Sequence, residues 1–289
     1  MPLHDPTLPY PSASRCQDLA RLGWALDCRM RPLLVTPSVV VADWFCPGEV
    51  RPWAPDHARY HQIELPIRGA HIRRFGSAQK VVDATRVACD RPGEEFALRS
   101  PSARPQQSTL LFWRGELAQE MDGNWCVDRV RPVSCGTARL HFDMLAAGDA
   151  VEMEERALGL LHALTACEGA APRGTAVSPT WRRLAADACH LIATCYDERL
   201  TVGAIATACK TSPFHLSRVF RAVYQTTLHR HLTRVRLRAA LFELRHGACD
   251  LAHVALNTGF SSHSHFARAF RAEFGITPSA CRAGTRPAR

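Results

Sequence analysis

A short sequence pattern occurs twice in the C-terminal third of the chain. The first copy reads Leu-Ser-Arg-Val-Phe-Arg-Ala-Val-Tyr from Leu216, and the second reads Phe-Ala-Arg-Ala-Phe-Arg-Ala-Glu-Phe from Phe266. A shorter apolar segment precedes each copy, at 202–206 and at 251–255. Internal repeats constrain a fold strongly, because both copies must form the same local structure. The spacing also predicts one extra residue in the turn of the second copy.

Each copy predicts a helix, a tight turn and a second helix, which is the helix-turn-helix arrangement. Residues that commonly begin helices stand at the expected positions: Thr201 and Ser212-Pro213 in the first copy, Asp250 and Ser261 or Ser262 in the second. Gly259 suits the turn of the second copy, because glycine tolerates a positive φ angle.

The second helix of each copy has an apolar face and a polar face. The apolar residues recur at helical spacing and predict a buried stripe: Leu216, Val219, Phe220 and Val223, then Phe266, Ala269, Phe270 and Phe274. The opposite faces carry Arg218 and Arg221 in the first copy, and Arg268 and Arg271 in the second. A solvated polar face is one interpretation. The other is a helix in the DNA major groove, where arginine donates two hydrogen bonds to guanine.

The segment 227–245 between the copies lacks internal glycine and proline and has apolar residues at helical spacing. It predicts a single helix, which at about 1.5 Å per residue would be roughly 28 Å long. Two recognition helices held apart by such a rod could enter successive major grooves, which are about 34 Å apart on one face of DNA.

From about Trp181 to Arg282 the chain resembles the double helix-turn-helix DNA-binding domain of the AraC/XylS transcriptional regulators. The most specific residues of the match are Arg236-Leu237-Arg238-Ala239-Ala240, Val254-Ala255, Gly259-Phe260, Phe266, Phe270 and Gly275-Ile276-Thr277-Pro278. The resemblance implies base contacts from Phe214, Ser217, Arg218, His263, Ser264, His265 and Arg268. Two positions depart from the family pattern, which has glycine in place of Gln225 and an aromatic residue in place of His231.

The positive charge of the chain is concentrated in the repeat region. Residues 180–289 hold 16 Lys+Arg and 6 Asp+Glu, a net of +10, whereas residues 1–179 hold 20 and 21, a net of −1. This distribution favours a polyanionic partner for the C-terminal region. Phosphate contacts are expected from Arg221, Arg271 and the helix N-termini near Ser212 and Ser262, because N-terminal N–H groups bind anions.

Short β-like runs separated by turn signals occupy the chain from Leu33 to Trp113 and predict a sandwich or barrel. They are Leu33–Val35, Val39–Phe45, Tyr60–Ile67, His71–Phe75, Val81-Val82, Arg86–Cys89, Glu95–Leu98 and Thr109–Trp113. This region weakly resembles the cupin-like sensory domains that precede AraC-type DNA-binding domains, at 64–69, 83–87 and 92–96. Relatives often continue with His-Pro and later Gly-Asp, where this chain has Ser100-Pro101 and Gln107-Ser108.

Two chemical alternatives concern the same half of the chain. Metal-binding cupins gather histidines and a carboxylate, and this segment offers His57, His61, Glu64 and His71. A later histidine near 99–100, where a second metal motif would fall, is missing. The chain also has 12 cysteines, which are expected to be reduced and mostly buried, among them Cys189, Cys195, Cys209 and Cys249. Cys126 and Cys135, with His141 nearby, could instead bind a metal or sense redox state.

The fold prediction is an α+β protein of two domains. An N-terminal β-rich, cupin-like barrel or sandwich with a helical hairpin precedes an all-α domain of two helix-turn-helix units joined by a long helix. The predicted divisions are a mobile arm and short helix (1–32), the cupin-like domain (33–134), the hairpin (135–167), a linker (168–178) and the DNA-binding domain (179–289). The hairpin has two candidate roles, covering the barrel and forming a dimer surface.

The predicted function is sequence-specific, DNA-binding transcription regulation of the AraC/XylS type, modulated by a small-molecule effector or by dimerisation. The expected partners are double-stranded DNA and a second copy of the chain, with RNA polymerase a further candidate. Neither a membrane span nor a signal peptide is indicated, so a cytoplasmic protein is expected. No catalytic residue, cofactor or metal ligand is assigned. Two alternatives stay open: a metal-dependent cupin enzyme with an accessory basic helical domain, and a thiol- or metal-responsive regulator.

Overall fold

The computed structural model describes residues 19, 21–23, 30–48, 50–121, 128–166, 177–245 and 250–283. Several expectations therefore fall outside the described residues. They are the mobile arm at 1–15, most of the short helix predicted over 16–24, the linker up to residue 176, and the cysteines Cys126 and Cys249.

The N-terminal region consists of two antiparallel sheets. Its strands are β1 (Met30–Val35), β2 (Val39–Cys46), β3 (Arg51–His57), β4 (His61–Arg68), β5 (Ala70–Phe75), β6 (Ala78–Asp83), β7 (Arg86–Asp90), β8 (Glu95–Ser100), β9 (Gln106–Trp113) and β10 (Val130–Pro132). One sheet has the order β1-β2-β9-β4-β7-β10 and the other has the order β3-β8-β5-β6. A β-rich N-terminal region is therefore confirmed.

Every predicted β run coincides with a strand, but the sequence analysis missed β3 and β10. Strand β3 contains Pro52 and Pro55, its side chains are mostly exposed, and its pairing with β8 shifts register between Arg51 and Ala54. Proline and the lack of an apolar alternation both argue against a strand in sequence, yet an edge strand tolerates them. Strand β10 is too short to show any periodicity.

Helix α1 (Glu116–Glu120) lies between β9 and β10, and two longer helices, α2 (Cys135–Leu145) and α3 (Ala150–Ala166), follow β10. The last two form the predicted hairpin. Leu160, Leu161 and Leu164 on α3 are buried in one cluster with Ile63 and Leu111 of the larger sheet. The hairpin therefore covers one face of that sheet, which is one of its two expected roles.

The C-terminal region is entirely helical over the described residues. It contains α4 (Pro179–Cys195), α5 (Val202–Ala208), α6 (Pro213–Tyr224), α7 (Leu228–Arg245), α8 (Leu251–Asn257), α9 (His263–Phe274) and α10 (Pro278–Ala283). The pairs α5–α6 and α8–α9 are the predicted helix-turn-helix units. The turn of the first unit spans 209–212 and that of the second spans 258–262, so the extra residue is confirmed.

The two helix-turn-helix turns have different residues at one position but the same backbone conformation there. Lys210 and Gly259 both have positive φ angles, 53° and 83°. A Cβ atom on Gly259 would lie 2.5 Å from the Tyr196 carbonyl oxygen and 2.8 Å from Arg236 Nε, so glycine is required there for space as well as for φ. One expected detail is wrong: Asp250 is at the N-cap of α8, but its side chain makes no capping hydrogen bond.

Helix α7 belongs to two separate cores. Leu228, Leu232 and Val235 in its first half pack in the cluster of the first helix-turn-helix unit. Leu237, Leu241 and Leu244 in its second half pack in the cluster of the second unit. The predicted apolar positions of this helix are thus all buried, and its 18 residues make a rod of about 27 Å.

The helical region packs directly against the β region. Ala70 and Ile72 of β5 lie in one buried cluster with residues of α4. A second contact is polar: Cys135 Sγ donates to Glu273 Oε1 over 3.0 Å. Each cysteine within the described ranges is a free thiol; Cys189 is buried as expected, whereas Cys195 and Cys209 are only half-buried. None of the helices in the described part of the chain is both long and apolar enough to cross a bilayer.

Replacing Gly259 by alanine should destabilise the protein more than replacing Gly275. Both glycines have positive φ, but a Cβ on Gly275 would meet no atom within 4 Å. We expect Gly275→Ala to cost about 1 kcal/mol from the backbone alone. Gly259→Ala should cost a further ~1–3 kcal/mol from overpacking. Urea unfolding followed by circular dichroism measures both, and equal losses would contradict the close packing around Gly259.

Candidate nucleic-acid interface

Helices α6 and α9 bury the apolar stripes predicted from the repeat. Leu216, Val219 and Phe220 are fully buried on α6, and Phe266 and Phe270 are fully buried on α9. Ala269, Val223 and Phe274 are partly buried at the edges of the same stripes. The stripes fix the rotation of each helix about its axis, so the opposite faces must point away from the cores.

The two helices begin with the same capping interaction. Ser212 Oγ accepts a hydrogen bond from the backbone N–H of His215, and Ser262 Oγ accepts one from that of His265, each over 3.2 Å. Both serines are exposed. Caps of this kind leave other N–H groups of the first turn without intrahelical partners, and a phosphate can accept from them.

The outward face of α6 carries an unusual pair of side chains. Phe214 is 80% exposed, although a phenyl ring normally stabilises a fold by being buried. Arg218 is exposed, and its guanidinium carbon lies 5.1 Å from the centroid of the Trp181 ring on α4. This cation–π contact limits the orientations of Arg218 before any ligand binds. Ser217 and Arg221 are exposed on the same helix.

The outward face of α9 carries His263, Ser264, Arg268 and Arg271, all exposed. His265 differs from these residues, because it is half-buried and its ring lies edge-on to Phe260 with centroids 5.4 Å apart. His215 of α6 is packed in the same way against Trp181, at 5.9 Å. The structure therefore leaves His265 half-buried against Phe260, whereas the other side chains proposed to touch DNA are exposed.

The two departures from the family pattern leave the first unit intact. Gln225 ends α6 in the left-handed conformation with φ of 54°, as Gly275 ends α9 with φ of 76°. The Gln225 side-chain amide donates to the Ala222 carbonyl over 2.9 Å. His231 is buried, and its ring lies 5.5 Å from Phe220 and 6.1 Å from Tyr224, so it occupies an aromatic cluster as a ring.

A second candidate site lies between the two β-sheets. A cavity of about 500 Å³ is lined by side chains from both sheets, and its apolar wall includes Trp44, Tyr60, Phe96, Leu110 and Phe112. Its polar lining includes Glu64, His71 and Arg73. This volume and this mixture of aromatic and polar groups are typical of small-molecule sites.

The polar lining is an ion-pair network. Arg73 donates to Glu64 Oε2 over 2.7 Å and also pairs with Asp90, and Ser108 Oγ donates to Glu64 Oε1 over 2.7 Å. Burial alone would raise the pKa of Glu64, but His71, Arg73 and Ser108 outweigh that effect and the pKa is lowered. Burial also lowers the pKa of His71. Glu64 is therefore an anion whose charge Arg73 compensates, and His71 is neutral.

The residues proposed for a metal-dependent enzyme do not gather into one ligand set. His57, Glu64 and His71 line the cavity, but His61 stacks on Trp113 with centroids 5.5 Å apart. Glu64 Oε2 and His71 Nε2 are 3.5 Å apart, and Glu64 also pairs with Arg73. The sequence analysis missed Arg73, because β5 also contains His71 and Arg74 and so gave no separate signal for a buried charge.

Cys135 and His141, the two described residues of the proposed cysteine site, have different hydrogen-bond partners. Cys135 Sγ donates a hydrogen bond to Glu273, whereas His141 Nε2 shares a hydrogen bond with Thr109 Oγ1 over 2.9 Å. Burial and the hydrogen bond to Glu273 raise the pKa of Cys135, so its thiol stays protonated at neutral pH.

Known proteins match mainly the helical region. A family model described as a helix-turn-helix domain matches residues 205–284. SoxS, a regulatory protein of Salmonella typhimurium, is 35% identical over 83 residues, which cover 29% of this chain and 78% of SoxS. GlxA, an HTH-type transcriptional regulator of Rhizobium meliloti, is 33% identical over 128 residues, which cover 42% of this chain and 38% of GlxA. A structure of apo ToxT from Vibrio cholerae covers 88% of this chain at 11% identity, with a TM-score of 0.38.

The paired helix-turn-helix units and their exposed basic faces define a DNA-binding transcription regulator. The chain belongs to the AraC/XylS family of such regulators, since it aligns with more than two thirds of SoxS. The resemblance inferred from the repeat and its flanking motifs is thereby confirmed.

Trp181→Leu should weaken DNA binding through Arg218. The leucine keeps an apolar side chain on α4 but removes the ring under the guanidinium. A cation–π contact at an exposed site contributes about 0.5–1 kcal/mol. In a double-mutant cycle with Arg218→Ala, the effect of Trp181→Leu should disappear, because the arginine is already absent. Fluorescence anisotropy with labelled DNA measures the four affinities. Additive losses would show that Trp181 does not act through Arg218.

Proposed function

We propose that the protein reads two adjacent major grooves of one DNA site with α6 and α9. The observation that carries this proposal is the duplication itself: two helices with the same cap, the same buried stripe and the same outward arginines are built onto one rod, α7. A solvated polar face would not require both copies to keep the arginines. Base contacts are proposed for Phe214, Ser217, Arg218, His263, Ser264, His265 and Arg268. Among these, His265 is half-buried beside Phe260, so only the exposed part of its ring can reach a base.

Phosphate contacts position the two helices on the duplex. Arg221 and Arg271 are exposed in the last turn of α6 and α9, and Ser212 and Ser262 cap their first turns. These four residues are proposed to contact backbone oxygens, which fix register without specifying sequence.

The N-terminal region is proposed to be a cupin-like sensory domain over 33–134, followed by the hairpin at 135–167, the linker at 168–178 and the DNA-binding domain at 179–289. Its effector would occupy the cavity between the sheets. Glu64 and Asp90 pair with Arg73, and Asp90 also pairs with Arg129, so these four charges balance one another. Arg51 and Arg59 also line the cavity, so a largely apolar effector that carries one polar or acidic group fits this lining. Selection of binding sites from random DNA, with and without candidate metabolites, tests both the operator and the effector.

A homodimer is proposed to form through the hairpin. Val151 and Leu158 lie two turns apart on α3 and are 77% and 38% exposed, and Leu140 of α2 is 39% exposed. Apolar side chains grouped on one helical face favour a partner surface. RNA polymerase is a further proposed partner, and the cytoplasm is the proposed location, because the protein acts on transcription.

We infer that the protein is not an enzyme. A metal-dependent cupin enzyme is the principal alternative, but Glu64 and His71 are engaged with Arg73, and His61 packs on Trp113. A bound catalytic metal that requires Glu64 and His71 would overturn this inference. A thiol-responsive regulator through Cys135 is disfavoured by its raised pKa.

Arg218→Ala and Arg268→Ala should each weaken specific DNA binding by about 1–3 kcal/mol, because each removes hydrogen bonds to one base pair. Each substitution should relax base preference in a different half of the site. Arg31→Ala, which removes a charge from β1 where Arg31 pairs with Asp43, is the control and should leave affinity unchanged. The measurement is selection of binding sites followed by quantitative binding. A uniform loss across all sequences would show that the two arginines contact phosphates instead.

The affinity for DNA should fall steeply with salt, because phosphate contacts release counterions. Arg221→Ala and Arg271→Ala should each make the slope of log K against log salt shallower by about 1 while leaving base preference unchanged. Titrations at several salt concentrations measure the slope. A wild-type slope near zero would be incompatible with an interface anchored on phosphates.

A further inference from the structure

Three side chains from three different elements meet where the β region contacts the helical region. Asp83 ends β6, Cys189 lies on α4 and His231 lies on α7. Cys189 Sγ is 3.1 Å from Asp83 Oδ2 and 3.4 Å from His231 Nε2, and His231 Nε2 is 3.2 Å from Asp83 Oδ2. All three residues are buried, with Asp83 and Cys189 fully shielded from solvent.

The spacing of these atoms matches that of ligands around a small metal ion. A tetrahedral zinc ion with usual bond lengths of about 2.0–2.3 Å places its ligand atoms roughly 3.3–3.6 Å apart. The three observed separations are within a few tenths of an ångström of that range. Small movements of the side chains would therefore admit an ion. Within the described ranges this is also the one group of three or more His, Cys, Asp or Glu side chains whose ligand atoms converge in this way.

Residues around the cluster hold two of the three ligands in position. Thr85 donates to Asp83 Oδ1 from both its backbone N–H and its hydroxyl, over 2.8 and 2.7 Å. The carboxylate is thus oriented so that Oδ2 is the oxygen that faces Cys189 and His231. The His231 ring packs against the rings of both Phe220 and Tyr224. Such outer contacts are characteristic of metal sites, where they orient the ligands and favour a single geometry.

We propose that Asp83, Cys189 and His231 bind one divalent transition-metal ion of the zinc class. One thiolate, one imidazole and one carboxylate form a mixed set that suits zinc, with a fourth position left for water or another ligand. Burial and the neighbouring Asp83 raise the pKa of the Cys189 thiol, so the ion has to displace its proton to solvent before the sulfur coordinates as thiolate. His231 coordinates through Nε2 as the neutral tautomer that carries its proton on Nδ1. The two negative ligands then balance the charge of the ion.

A nearby cation limits the strength of the site. Arg86 lies over the ring of Tyr224 at 4.5 Å and acts electrostatically on Asp83. Its positive charge opposes that of an incoming ion. Together with the single sulfur ligand, this makes the site weaker than a structural zinc site with several thiolates, so the ion is exchangeable.

The position of the site gives the ion a structural consequence. Coordination would join β6 of the N-terminal region to α4 and to α7, the rod that carries both helix-turn-helix units. Bound metal and docking of the two regions would then favour each other, because the coupling between two linked equilibria is reciprocal. This inference does not depend on the effector, the operator or the dimer proposed above.

The first test uses the wild-type full chain and does not depend on a variant that folds. Chelator-treated protein is titrated with Co²⁺ and Zn²⁺, and the zinc-loaded form is studied by X-ray absorption. We expect one equivalent of metal, a thiolate-to-cobalt charge-transfer band, and a zinc shell of one sulfur with nitrogen and oxygen ligands. Binding below one equivalent, or a shell without sulfur, would overturn the proposal and leave only a hydrogen-bonded cluster.

Variants then assign the ligands. Cys189→Ser and Asp83→Asn should each weaken metal binding by at least about tenfold, since even the loss of outer partners typically costs ~10–100-fold. Cys195→Ser is the matched control on the same helix and should bind as the wild type does. Circular dichroism checks that each variant is folded, and the one of the two variants that is folded decides the case if the other is not. Unchanged affinity in folded Cys189→Ser would also contradict the site.

Discussion

The structure of the helical region depends on α7, whose two halves are buried in different cores. Leu232 and Val235 stabilise the first helix-turn-helix unit, and Leu241 and Leu244 stabilise the second. Because burial of one such side chain contributes about 1.5–3 kcal/mol, neither core can form fully without its half of the helix. The two recognition helices are consequently held by one continuous backbone rather than by a flexible connection. A regulator that reads two grooves at once needs this fixed relation.

The same helix also connects the DNA-binding units to the rest of the protein. Arg236 donates to the carbonyl oxygens of Tyr196 and Glu198 over 2.8 and 2.9 Å, and so ties α7 to the end of α4. Arg238 reaches the Val133 and Ser134 carbonyls of the N-terminal region over 3.4 and 3.3 Å. His231 contacts Asp83 of the β region. The β region is therefore in direct contact with the rod that carries α6 and α9.

The repeat made the helical region predictable because its signals are local. Caps such as Ser212 and Ser262, and stripes such as Phe266 with Phe270, depend on residues within a few turns of one another. The eight predicted strands were found for the same reason, but β3 was missed because Pro52 and Pro55 remove the usual strand signals. The cavity and the Asp83–Cys189–His231 cluster could not be predicted, because their members are far apart in sequence and meet only through tertiary packing. His265 shows a smaller limit: the family resemblance implied a base contact for it, and only its contact with Phe260 shows that it is half-buried.

Methylation interference on a selected DNA site tests the central claim most directly, because methyl groups on guanine N7 block major-groove contacts base by base. If α6 and α9 enter successive major grooves, interference should fall in two clusters about 10–10.5 base pairs apart on one face of the duplex. Arg218→Ala should abolish one cluster and Arg268→Ala the other. A single cluster, or two clusters on opposite faces of the helix, would contradict the account.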